Sequence, residues 1–77
     1  MVVHKVLSGV VAGFGYENGV LRVVFNGKEG LRAYDYYGVT EEDAGIFARE
    51  MGKSLAYIKG KYACKPVTDT VYFSEMG

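Results

Sequence analysis

Seven side chains in this sequence have the types and spacing to grip a flat, anionic ligand. Lys53, Tyr57, Lys59, Lys61 and Tyr62 fall in one run, with Tyr34 and Tyr36 upstream. Cations interleaved with aromatic rings are the equipment of single-strand binders: ammonium groups meet phosphate, and each stacked base is worth about 1–3 kcal/mol. Between Met51 and Thr68 lie Lys53, Lys59, Lys61 and Lys65 and no acid, whereas Glu41, Glu42 and Asp43 stand together before it. A solvated helix face is the competing reading of the same lysines. They would neutralise only a few phosphates, so a long duplex fits poorly. A short single strand, an RNA loop or a free nucleotide fits better.

The tyrosines pose a second choice. In "YDYY" (34–37) alternate side chains of an extended chain share a face, so Tyr34 and Tyr36 point the same way as Arg32, and Leu31, Ala33, Asp35 and Tyr37 point the other way. They are either core residues whose hydroxyls reach the rim or an exposed platform for a base. The core reading is the simpler, because large aromatic bodies dominate cores, and Tyr37 is then the freer ring.

Equipment for catalysis is sparse. Ser8, Ser54 and Ser74 have no evident base, His4 is the lone histidine and sits in an expected edge strand, and Cys64 has no established histidine partner. His4 and Cys64 do not make a tetrahedral metal site, and the 41–43 acids read as helix electrostatics. "GFG" (13–15) leads into a hairpin turn and not a helix, so a dinucleotide-type phosphate loop cannot form; a strand bulge or a close backbone approach is the expectation there. The reading is a non-enzyme with no metal and no cofactor.

The elements that must position these residues follow from periodicity. Strands are predicted over 2–7, 10–16, 20–25 and 31–37, with "ENG" (17–19) and "NGKEG" (26–30) as turns. Leu21, Val23 and Phe25 share one face, as in a sheet covered on one side. Thr40 reads as an N-cap for a helix over 40–51, with Asp43 in capping-box position and an apolar stripe of Ala44, Phe47, Ala48 and Met51. Gly52 ends that helix. Ser54 caps a second over 54–62, whose apolar side is Leu55, Ile58 and Tyr62. After Pro66, 67–73 alternates like a closing or donated strand. The class is α+β: a small antiparallel sheet of three or four strands with two helices packed on one face.

Composition sets the outer bounds. The chain has 77 residues, nine basic and nine acidic, with 49% hydrophobic and 23% charged, which is one folded domain over 1–77. No apolar run has the length of a membrane span, and no signal-peptide pattern opens the chain. With one cysteine, a reducing cytoplasm is the expected location. A core this small and a strand-like tail point to a homo-oligomer.

Several stretches together resemble the KTSC domain, a module named for the C-terminal segment of some lysyl-tRNA synthetases and also found free-standing in bacteria and phages. They are "VLS" (6–8), "GY" (15–16), "LRVVF" (21–25), the Tyr34-x-Tyr36 pair, "YGV" (37–39) and "IKGKY" (58–62), so the likeness covers about 6–62 and leaves 63–77 as an extension. Gly9 stands where the family has a second serine and Thr40 where proline is usual. The stretch 52–58 is one residue short and lacks a Phe-Asn pair. The resemblance implies a small α+β fold and, from the family's company with synthetases, RNA binding. Its likeness to small phage proteins implies an alternative, an anti-defence protein that binds a host protein or sequesters a nucleotide signal.

Overall fold

Residues 3–6, 9–28, 30–67 and 73–74 are described by the structure, a computed structural model, the last two through their backbone. Two tight hairpins build its centre. Strand β2 (Val11–Glu17) turns into β3 (Val20–Gly27) through Asn18 and Gly19, whose φ angles of 50° and 78° are those of a type I′ turn. Strand β3 turns into β4 (Gly30–Tyr37) with Gly27 paired to Gly30. A Cβ on Gly27 would lie 2.7 Å from the Gly30 carbonyl oxygen, so this turn needs a bare α-carbon. The pairing of β2 with β3 slips between Val11 and Gly13, so the bulge falls at Ala12, just before the glycines where a bulge or a close approach was expected.

The sheet is wider than the three or four strands expected. Its order is β5-β4-β3-β2-β1-β6, with β1 (Val3–Lys5), β5 (Cys64–Pro66) and β6 (Phe73–Ser74) as short outer strands. Five strands run antiparallel, and β6 adds a two-residue parallel pairing to β1. Of the closing strand expected over 67–73, residues 68–72 lie outside those described, as do 2, 7 and Ser8 of the opening segment. Strand pairing after the helices begins earlier, at Cys64 against Tyr36, because Pro66 can occupy an edge where no ladder donor is needed. Phe73 pairs with Val3 of the same chain.

Two helices cover one face, as expected of the class. Thr40 caps α1 (Glu41–Glu50), its Oγ1 accepting from the Asp43 N–H at 3.2 Å. The break between helices is not Gly52, which opens α2 (Gly52–Lys61), but Met51 with φ 43°. Nor does Ser54 cap α2. Its hydroxyl donates to the Met51 carbonyl at 3.1 Å from inside the first turn. The half-buried Met51 side chain packs against the core, which holds the turn at this residue. Ala44 and Phe47 of the predicted stripe are buried; Ala48 is exposed, and the place it was given on the inner face goes instead to Asp43.

Leu21, Val23 and Tyr36 of the sheet enclose Phe47, Leu55 and Ile58 of the helices, with Val11, Val39 and Ala44 completing this cluster. The far face is not bare. Val3, Val24 and Ala33 are buried there with Ala12 and Val67 packed beside them, and Arg22 grips Asp35 across the strands with Nε–Oδ1 2.7 Å and Nη2–Oδ2 2.9 Å. Tyr36 is 2% exposed and Tyr37 44%, which makes the first a core residue. We predict that Tyr36→Ala destabilises the fold by about 3–5 kcal/mol in urea unfolding. Tyr37→Ala should fall within about 1 kcal/mol of wild type. Equal effects would contradict this division of the tyrosines.

Candidate ligand groove and its carboxylate anchor

The seven candidate residues divide into two places and one outlier. Tyr57, Lys61 and Tyr62, one helical turn apart and at its end, converge on Asp43 in the first turn of α1. Lys61 Nζ donates to Asp43 Oδ2 at 3.0 Å and to the Tyr57 hydroxyl at 2.8 Å. The Tyr57 hydroxyl reaches the carboxylate at 3.3 Å, and the Tyr62 hydroxyl donates to the same Oδ2. The ammonium also lies 5.2 Å from the Tyr57 ring centre and 5.4 Å from that of Tyr62. Asp43 is thus an anchor between helices and not the capping-box partner that its spacing from Thr40 suggests.

Burying a carboxylate is unfavourable unless its lone pairs are filled, and here three donors fill them. Hydrogen bonds from Tyr62 and then Lys61 hold the Asp43 carboxyl below the usual carboxylate range. Bonds to Tyr57 and then Asp43 push the Lys61 ammonium above the usual lysine range. Lys61 therefore has a carboxylate on it already, and a phosphate would have to displace that partner. The absence of acids in the 51–68 segment concealed this, because the acid comes from another helix.

The second place is a groove of about 430 Å³ between the β3–β4 hairpin, α2 and β5. Phe25 and Tyr34 form its wall, edge to face with ring centres 5.9 Å apart. Lys59 lies over the Phe25 ring at 5.4 Å, and Arg32, Tyr36, Cys64, Asn26 and Gly27 complete the lining. No acid lines it. Neither Lys59 nor Arg32 has a carboxylate partner among the described residues. Burial, and then the neighbouring Cys64, push the Tyr36 hydroxyl up to about 12, so it stays protonated at neutral pH.

Lys53, the remaining candidate, is exposed in the first turn of α2 and belongs to neither place. Sequence reasoning missed Phe25, Arg32 and Cys64 as groove residues. Strand parity had put Arg32 with Tyr34 and Tyr36, and the 26–30 turn fixes Phe25 opposite Arg32, so the signal was present but not assembled. Among the described residues no group of three or more His, Cys, Asp or Glu side chains could hold a metal, and no helix is long and apolar enough to cross a membrane.

The anchor has a pH signature. Because folding lowers the Asp43 pKa, its contribution is complete above the unfolded value of about 4 and is lost as pH falls through the folded one. Asp43→Asn should therefore lower the melting temperature at pH 7, and the gap to wild type should narrow on acidification from about pH 5 to about pH 2. A gap that stays constant with pH would remove the carboxylate's charge from the account.

Comparison of the chain with protein-family models, with curated proteins and with solved structures finds no match, so the chemistry of the groove rests on its own residues.

Proposed function

We propose that this chain is a non-enzymatic binding module for a nucleotide or a short single-stranded nucleic acid, RNA included. The base lies against the Phe25–Tyr34 wall and phosphate meets Lys59 and Arg32. One observation carries the reading: an aromatic groove of about 430 Å³ with two cations at its walls and no acid among the described residues of its lining. Ligand sites of this size are mostly apolar with a few convergent polar groups, which is the balance here. A ligand of this class is also what the resemblance of residues 6–62 to the KTSC domain would imply. Tyr34 then serves both readings of the tyrosines, half-buried against the core and presenting its remaining surface to the groove. Tyr57, Lys61 and Tyr62 support the site by fixing α2, and Lys59 follows from that placement.

Titration calorimetry with free nucleotides and four-nucleotide RNA and DNA tests the proposal. Lys59→Gln with Arg32→Gln should weaken binding roughly 10- to 100-fold, as loss of hydrogen bonds to a charged group does, with the melting temperature little changed. Lys53→Gln should have no effect. Folded wild-type protein that binds none of these ligands would overturn the proposal and leave a partner protein as the ligand class.

A further inference from the structure

We infer that the groove takes a single nucleotide unit, base and one phosphate, and does not track a polynucleotide. This rests on the reading above and narrows it. A strand binder needs a row of cations continuing from the base pocket, because affinity for a polymer comes from successive phosphates. That row is missing. Lys61 is held by Asp43 at 3.0 Å, and Arg22 by Asp35 at 2.7 Å on the other side of the sheet. Lys65 pairs in register with Asp35 while Cys64 pairs with Tyr36, which puts Lys65 on that far side as well.

Lys53 precedes Lys59 by six residues, about 9 Å along the helix and two-thirds of a turn around it, so it faces away from the Lys59 side. None of the other cations lines the groove: Lys28 follows Gly27 in the hairpin turn, Lys5 lies in β1 and Arg49 in the last turn of α1. The cations in the described lining are therefore Lys59 and Arg32 alone, suited to one anionic group. The apolar wall supplies the second requirement. Phe25 and Tyr34 meet edge to face and together give the groove an apolar aromatic wall against which one planar ring can lie. Cys64, in the same lining and exposed, reports on occupancy.

The test compares adenosine 5′-monophosphate, uridine 5′-monophosphate, adenosine, inorganic phosphate and the four-nucleotide oligomers rA4 and rU4, at 50 and 200 mM salt. The modification rate of Cys64 by N-ethylmaleimide is followed in each case. At least one mononucleotide should bind and slow Cys64 modification at least 5-fold, and its tetramer should show a log-affinity against log-salt slope no steeper than about −0.7, the value for one phosphate of a single strand. That tetramer, with four bases and three phosphates, should bind no more than about 4-fold tighter, the statistical upper limit when one unit at a time occupies the groove. Adenosine and inorganic phosphate should each bind at least 10-fold more weakly than the better mononucleotide.

A tetramer bound more than 10-fold tighter than its monomer, with a slope near −2, would overturn the single-unit inference while the binding module stands. Inorganic phosphate binding as tightly as the mononucleotides would overturn it too, by removing the wall from recognition. Nucleotide binding that leaves Cys64 modification unchanged would place the ligand elsewhere and overturn the groove assignment. If neither nucleotides nor oligomers bind, the inference and the proposed function fall together.

Discussion

A carboxylate taken out of water must be surrounded by donors, and in this protein that requirement decides where the second helix lies. Asp43 is 5% exposed and occupies a position on the inner side of α1 that an apolar residue would ordinarily fill. Its oxygens are filled by Tyr57, Lys61 and Tyr62, all from the last turns of α2 or just beyond. The short turn at Met51 fixes the opposite end of α2. A helix held at both ends has little freedom to roll, so Leu55 and Ile58 stay against the sheet and Lys59 stays over Phe25. The charges also suit the helix dipoles, with Asp43 in a first turn and Lys61 in a last one.

The other wall of the groove is set by register. The Gly27–Gly30 pairing forces Phe25 opposite Arg32, and the period of two then brings Arg32, Tyr34 and Tyr36 to the helix-bearing side. A slip of one residue would exchange them for Leu31, Ala33 and Asp35, leaving Arg22 without its bidentate partner and a carboxylate on the apolar side. The core and the far-face ion pair therefore reject the same alternative. This is consistency between levels, and it explains why a two-residue turn can be trusted with the geometry of a site.

Much of the fold was legible because its signals are local. Asn18-Gly19 announced its turn, the alternation in 20–25 and 31–37 announced their faces, and Thr40 announced the start of α1. The errors share another origin. Asp43 looked like a capping residue because spacing says nothing of Lys61 and Tyr62 arriving from eighteen and nineteen residues away. Lys61 looked free for the same reason. Ala48 looked inward because the stripe was drawn from apolar residues alone, whereas a well-satisfied aspartate holds the inner position. The far-face cluster of Val3, Val24 and Ala33 was invisible to a scheme in which the sheet is covered on one side. For the candidate site, residue types were readable and their grouping was not: Lys59 and Lys61 are two residues apart on one helix yet serve different places.

The parallel pairing of β6 with β1 joins residues seventy apart, Val3 with Phe73. Closing a loop of that length is entropically dearer than closing the two-residue hairpins, by roughly 3 kcal/mol on a logarithmic scale of loop size. The β2–β3 and β3–β4 hairpins and the helix pair need only local closure. They can assemble before the chain's two ends meet, and the β1–β6 edge is then the last part of the sheet to form and the first to open. Hydrogen exchange would accordingly be fast at that edge and slow at Leu21, Val23 and Tyr36, with the Phe25–Tyr34 wall of the groove carried by the inner strands β3 and β4 on the slow side of this gradient.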